Sequence, residues 1–157
     1  SCTQTVKEGM VVKTRSSRVD RLVKTAFELL LSDHNLNCRE CPANKNCALQ
    51  TIARERSLKL RQKRFKPIER EYSVDDSPDE FAFDPGRCVL CGRCVWADRE
   101  EASIGAIGFT SRGIKRVVTT FRDFPLAESI CTQCKLCVEA CPVGAFYYKK
   151  DIKEKKA

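Results

Sequence analysis

Three cysteines at intervals of three, a fourth after a gap of four, then a proline: Cys131, Cys134, Cys137, Cys141 and Pro142 follow one another in this order. The spacing is that of a bacterial-type [4Fe–4S] ligand run. A cubane cluster needs thiolates arriving from several directions around a compact charged core. A loop with a cysteine every third residue wraps three iron corners, and the fourth corner is reached from elsewhere in space. The run occurs twice. Cys88, Cys91, Cys94 and Asp98 align with Cys131, Cys134, Cys137 and Cys141 at an offset of 43 residues, counted from Cys88 to Cys131. In the upstream copy an aspartate replaces the fourth cysteine, and no proline follows it.

A doubled run of this kind marks a two-cluster ferredoxin fold, in which the fourth cysteine of each run ligates the other cluster. By that rule one cluster takes Cys88, Cys91, Cys94 and Cys141. The second takes Cys131, Cys134 and Cys137, with Asp98 at its fourth corner. A carboxylate is a harder, more weakly held iron ligand than a thiolate. Three outcomes follow: a [4Fe–4S] cluster with Asp98 on one iron, a [3Fe–4S] cluster with that corner open, or an empty site. The intact downstream run argues against the last. The plain alternative makes Asp98 one more surface acid beside Arg99, Glu100 and Glu101.

A third constellation stands upstream. His34, the single histidine, precedes Cys38, Cys41 and Cys47 in the pattern H-x3-C-x2-C-x5-C. One histidine and three cysteines suit tetrahedral zinc. They equally suit an iron–sulfur cluster, because imidazole can replace thiolate on iron. The spacing does not choose between them, although neighbouring iron–sulfur runs favour iron.

The elements that must position these residues are short. A strand is expected around Val11 and Val12, after the glycine turn at Gly9. Ser16 or Ser17 caps a helix in which Val19, Leu22, Val23, Ala26, Phe27 and Leu30 hold a 3.6 period, ending near Ser32 and Asp33. Leu49, Ile52 and Ala53 begin a second helix. Pro67 stops any helix that reaches it, and residues 72–80 read as an acidic linker. Phe81 to Phe83 is a strand leading to Cys88, Ile114 to Phe121 belongs to a hairpin, and Phe146 to Tyr148 returns as a closing strand. The lysine-rich end from Lys149 is expected to fray.

The chain has 157 residues, eleven of them cysteine, and only 8% are aromatic. Metal centres therefore substitute for part of a conventional core. A secreted disulfide scaffold fits poorly: the cysteine count is odd, the spacing is that of metal ligands and no signal peptide opens the sequence. No apolar run is long enough to span a membrane. The expectation is a soluble, cytoplasmic protein. The net charge of +8 raises nucleic acid as a partner. Thiolate-bound clusters are anionic, however, and the basic run from Arg54 to Arg70 contains only Phe65 as an aromatic. A solvated or partner-docking face is the better reading.

Taken together, Glu8-Gly9-Met10-Val11-Val12, the His34–Cys47 run and Cys88-x2-Cys91-Gly-Arg-Cys94 resemble the N-terminal iron–sulfur region of the complex I large iron–sulfur subunit. [FeFe]-hydrogenases, NAD-linked formate dehydrogenases and the small diaphorase subunit of NAD-reducing hydrogenases share it. The resemblance covers about residues 2–148. It implies an α+β chain: a small helical histidine-ligated [4Fe–4S] domain over 16–71, the linker 72–80, and a bacterial two-[4Fe–4S] ferredoxin-like domain over 81–150, with a tail at 151–157. It implies that His34, Cys38, Cys41 and Cys47 hold a low-potential cluster. Residues 1–15 would be the remnant of a plant-type [2Fe–2S] domain, with Cys2 matching the last of its ligands. The implied role is an electron relay, with no catalytic site of its own, in a hetero-oligomer. One partner would be a flavin/NAD(H)-binding subunit, and the other a hydrogenase, formate dehydrogenase or quinone-type terminal site. A zinc-binding structural or nucleic-acid-binding protein and a free ferredoxin carrier are the alternatives.

Overall fold

The computed structural model describes residues 4–68 and 70–153, with the side chain of Lys153 excluded. Cys2 and the last four residues, on which two expectations fall, lie outside the described residues. Helix α1 spans Ser17–Leu31. Its N-cap is Ser16, whose Oγ accepts from the Val19 N–H at 3.2 Å, satisfying a backbone donor that the first turn leaves open. Phe27 and Leu31, four residues apart, are buried, whereas Leu22 and Leu29 are exposed. The neighbour expected for this helix therefore covers one edge of its apolar stripe. Helix α2, Ala48–Glu55, starts directly after Cys47 and buries Leu49 and Ala53.

No strand forms around Val11 and Val12. Both are exposed and lie in irregular chain, where no second strand completes a ladder among the described residues. The segment is held from outside instead: Arg56 donates to the Thr14 carbonyl at 3.0 Å and to Asp20 at 3.3 Å. Beyond α2 the basic run is irregular. Leu58 and Leu60 pack against the core, while Lys59, Arg61 and Lys63 between and beyond them are exposed. This is a solvated cationic edge. Arg70 turns inward, pairing with Asp33 at 3.0 Å and donating to the Ile114 carbonyl.

Strand β1 (Phe81–Phe83) pairs antiparallel with β4 (Phe146–Tyr148), and β2 (Ile107–Thr110) with β3 (Val117–Thr120), giving two separate two-stranded sheets. Such ribbons are marginal alone and depend on packing. The Phe83 ring stacks on Phe146 with centroids 4.3 Å apart, and Phe81 is 0% exposed. The acidic linker is part of this body. Asp75 exchanges two backbone hydrogen bonds with Phe83, and its carboxylate accepts from the Leu126 N–H at 2.8 Å. The lysine-rich end also departs from expectation: Lys149–Lys153 forms a short helix, α5, anchored by Lys149 N–H on the Glu80 carbonyl at 2.9 Å.

The two cysteine runs fold alike. In each, the residue two after the first cysteine (Leu90, Gln133) and the residue after the second (Gly92, Lys135) have positive φ. A short helix then begins: α3, Arg93–Trp96, in the first copy and α4, Leu136–Ala140, in the second. They diverge at the fourth position. The second helix stops before Cys141 and Pro142. The first runs on into a π-helical turn, Ala97–Glu101, closed by the Ala102 N–H on the Ala97 carbonyl at 2.9 Å. Without a proline, nothing removes the donor that would end it.

Phe81→Ala is expected to cost about 3–5 kcal/mol, the range for deleting a buried phenylalanine. Phe121→Ala, at a residue 79% exposed, should stay within about 0.5 kcal/mol. Denaturant midpoints of the two anaerobically prepared variants check the contrast.

Candidate metal centres

The loops that carry the downstream and upstream runs turn their backbone N–H groups onto sulfur. Leu90 N–H donates to Cys88 Sγ, Gln133 N–H to Cys131 Sγ and Phe146 N–H to Cys141 Sγ, each at 3.4 Å. The positive φ at Leu90 and Gln133 is what points these amides inward. A side chain in that region costs about 1–2 kcal/mol, so the turn is retained against its local preference.

Cys88, Cys91, Cys94 and Cys141 line one cavity, which Gly92 and Phe146 help to close. The four thus come together across the fold, three from the first run and one from the second. Burial pushes the Cys94 thiol up to about 12, and the nearby Cys88, Cys141 and Cys91 thiols add to it. Cys88 is pushed up to about 11, first by burial and then by Cys141 and Cys91, against the Leu90 amide, which lowers it. These are neutral thiols until a metal displaces their protons.

Cys131, Cys134 and Cys137 form a second group. Burial raises the Cys137 thiol, and Cys131, Cys94 and Cys134 raise it further. The influence of Cys94 on Cys137 sets the two groups side by side. Asp98 acts on Cys131, raising its pKa after burial and Cys134. It is no surface acid: only 7% of it is exposed. Its Oδ2 accepts from the Ile107 N–H at 3.0 Å, and its carbonyl accepts from Ile104 at 3.0 Å. One carboxylate oxygen therefore serves strand β2.

The third group is less compact. Cys38 and Cys47 both raise the Cys41 thiol, whose main upward cause is burial. His34 is half-buried, and its Nδ1 is buried without a hydrogen-bond partner. Burial, reinforced by the Arg87 guanidinium, lowers its pKa to about 4. The imidazole is therefore neutral at pH 7, with a lone pair to give. A neutral, unpartnered ring nitrogen shielded from solvent has the donor chemistry of an imidazole ligand. The Arg87 guanidinium also lowers the Cys41 thiol, as it does His34.

This group abuts the first. Ala48 N–H, next to Cys47, donates to the carbonyl of Pro142, next to Cys141, at 2.9 Å. A Cβ placed on Gly144 would lie 2.5 Å from Cys41 Sγ, so only glycine admits that approach. Among the described residues no group of three or more histidine, cysteine or acidic side chains is placed to hold a single metal ion. Sequence reasoning missed Arg87, Gly144 and the second role of Asp98. No spacing rule marks them, because each acts through a contact distant in the chain. Among the same residues, no helix is long and apolar enough to cross a membrane.

Two families match in tandem. Residues 24–59 match the NADH-ubiquinone oxidoreductase-G iron–sulfur binding region. Residues 81–147 match the ferredoxin-like domain of NADH-quinone oxidoreductase subunit 3. The NADP-reducing hydrogenase subunit HndD of Solidesulfovibrio fructosivorans is 34% identical over 92% of this chain, which spans 24% of that protein. The NADPH-Fe(3+) oxidoreductase subunit alpha of Geobacter sulfurreducens (strain DL-1 / KN400) is 34% identical over 95% of the chain, which spans 17% of it. A crystal structure of NAD+-reducing [NiFe]-hydrogenase in the H2-reduced state superposes with a TM-score of 0.83 and 27% identity. The overlap covers 94% of this chain and 62% of that one. With a mixed helix-and-sheet fold, this chain carries the two matched iron–sulfur regions in tandem, and its homologues are subunits of NADH-quinone oxidoreductases and NAD(P)-linked hydrogenases.

Proposed function

We propose that this chain is an electron-relay module, passing single electrons between a flavin/NAD(H)-binding unit and a hydrogenase, formate dehydrogenase or quinone-type terminal site. The observation that carries this reading is the adjacency of three cysteine groups, with Cys47 and Cys141 separated by one backbone hydrogen bond between their chain neighbours. Two [4Fe–4S] clusters, at His34/Cys38/Cys41/Cys47 and Cys88/Cys91/Cys94/Cys141, and a third [4Fe–4S] or [3Fe–4S] cluster at Cys131/Cys134/Cys137 with Asp98, would supply one-electron storage. The protein's share is to hold them close, to shield them and to set their potentials by ligand type and hydrogen bonds to sulfur. The amides of Leu90, Gln133 and Phe146 donate to sulfurs that gain negative charge on reduction, and so favour the reduced state. The histidine-ligated domain falls within 16–71 and the two-cluster domain within 81–150. The docked setting is a hetero-oligomer, which the names of the relatives as subunits support, and its proposed compartment is the cytoplasm.

Four thiols around one cavity, in the spacing of iron–sulfur ligand runs, suit ligands spread over cluster corners better than zinc. The exposed basic edge has no aromatic platform on which to stack bases, which weighs against nucleic acid.

His34→Cys should keep the iron content and lower the potential of its site, because an anionic ligand replaces a neutral one; an unmoved potential would remove His34 from the ligand set. If Asp98 leaves an iron corner open, the oxidised protein gives a three-iron EPR signal that Asp98→Cys converts to a four-iron one. Indistinguishable spectra would contradict an open corner.

A further inference from the structure

Arg87 immediately precedes Cys88, and its backbone neighbour Gly86 is bonded to the segment that follows His34. The Asn35 N–H donates to the Gly86 carbonyl at 2.7 Å, so the residue after His34 is bonded to the residue before Arg87. The Arg87 side chain is only 12% exposed, and its Nε stands 3.1 Å from Asp84 Oδ2, on a carboxylate 10% exposed. Nη1 is buried and has no hydrogen-bond partner, and Nε, although close to Asp84, is not aligned for a hydrogen bond. Asp84 is itself fixed. Its Oδ1 accepts from the Gly86 N–H at 2.9 Å, and its own N–H donates to the Ala145 carbonyl at 2.8 Å. Ala145 follows Gly144, which packs against Cys41.

A buried guanidinium that leaves a donor unused is costly unless an anion faces it. Asp84 answers part of that charge. We propose that the anion answering the rest is the cluster held by His34, Cys38, Cys41 and Cys47, and that Arg87 is a positioning residue raising its reduction potential, with Asp84 as the counterweight. The proposal rests on the ligand reading given above for that site. The direct influence of Arg87 on both His34 and Cys41 agrees with it. Reduction adds one negative charge to a site already anionic through three thiolates. A fixed cation nearby in a poorly screened interior favours that charge. A histidine ligand removes one unit of negative charge from the site, and Arg87 acts in the same direction.

The test is a redox titration of the full chain, prepared anaerobically. It follows by EPR the reduced centre that shows nitrogen coupling from imidazole, in wild type, Arg87→Gln, Arg87→Lys and Asp84→Asn. Arg87→Gln should make reduction of that centre about tenfold less favourable, ~59 mV for one electron. Asp84→Asn should move it in the opposite direction, and Arg87→Lys should leave it near wild type. Unmoved potentials, or shifts of the same sign in Arg87→Gln and Asp84→Asn, as simple disruption would produce, overturn the proposal. Should Arg87→Gln fail to assemble, Asp84→Asn decides alone: a rise supports the proposal, and a fall or no change overturns it. Absence of nitrogen coupling in wild type overturns the histidine-site reading and this proposal with it. Nitrogen coupling with unmoved potentials overturns this proposal alone.

Discussion

The hydrogen bond from Ala48 N–H to the Pro142 carbonyl joins the two parts of the molecule at the place where it matters most. Its donor is one residue from Cys47, and its acceptor is one residue from Cys141. Electron transfer between centres falls off steeply with distance, so a relay works only if its stations are held close. This bond, the Asn35–Gly86 bond and the glycine contact at Gly144 fix the spacing between the histidine group and the first ferredoxin group. Pro142, which stops helix α4, also presents the acceptor. One residue thus ends a helix, positions the cysteine before it and docks the neighbouring domain.

The fold around these contacts has little regular structure. Its strands are three or four residues long, and its sheets have two strands each. A continuous core runs from Phe27 and Leu49 in the first part to Phe81, Val118 and Phe146 in the second, and includes Cys47, Cys94 and Cys137. The thiols are thus core residues as well as ligand candidates. That burial pushes the Cys94 and Cys137 thiols up, and iron must replace their protons before the centres gain their charge.

Much of this was legible in the sequence. The cysteine spacing located both runs, and the offset of 43 residues between Cys88 and Cys131 carried the correspondence down to backbone turns at Leu90 and Gln133. Ser16 announced the start of α1, because a serine before a 3.6-residue period has one local task. Contacts without a local signature were not legible. Asp75 reads as part of an acidic linker but bridges to β1, since its partners are at Phe83 and Leu126. Asp98 reads as a surface acid or an iron ligand. It is buried and also holds β2, because a π-helical turn aims its carboxylate inward. The strand expected at Val11 and Val12 required a partner strand that the described residues do not provide. Lys135 occupies a positive-φ position where the first copy has Gly92. No propensity rule favours lysine there, although its Nζ pairs with Glu80 at 2.6 Å.

Asp98 is where the two copies depart from symmetry, both in sequence and in shape. The second copy ends its helix and sends Cys141 across to the other group. The first continues as a π-helical turn, a form common at functional sites, and its Asp98 carboxylate accepts from the Ile107 N–H of β2. Metal analysis bears most directly on whether these side chains serve iron–sulfur centres. The account predicts a brown anaerobic preparation containing iron and acid-labile sulfide in near-equal amounts, about eleven to twelve irons per chain from two four-iron clusters and a third of three or four irons. A colourless preparation that contains zinc and lacks sulfide would contradict it.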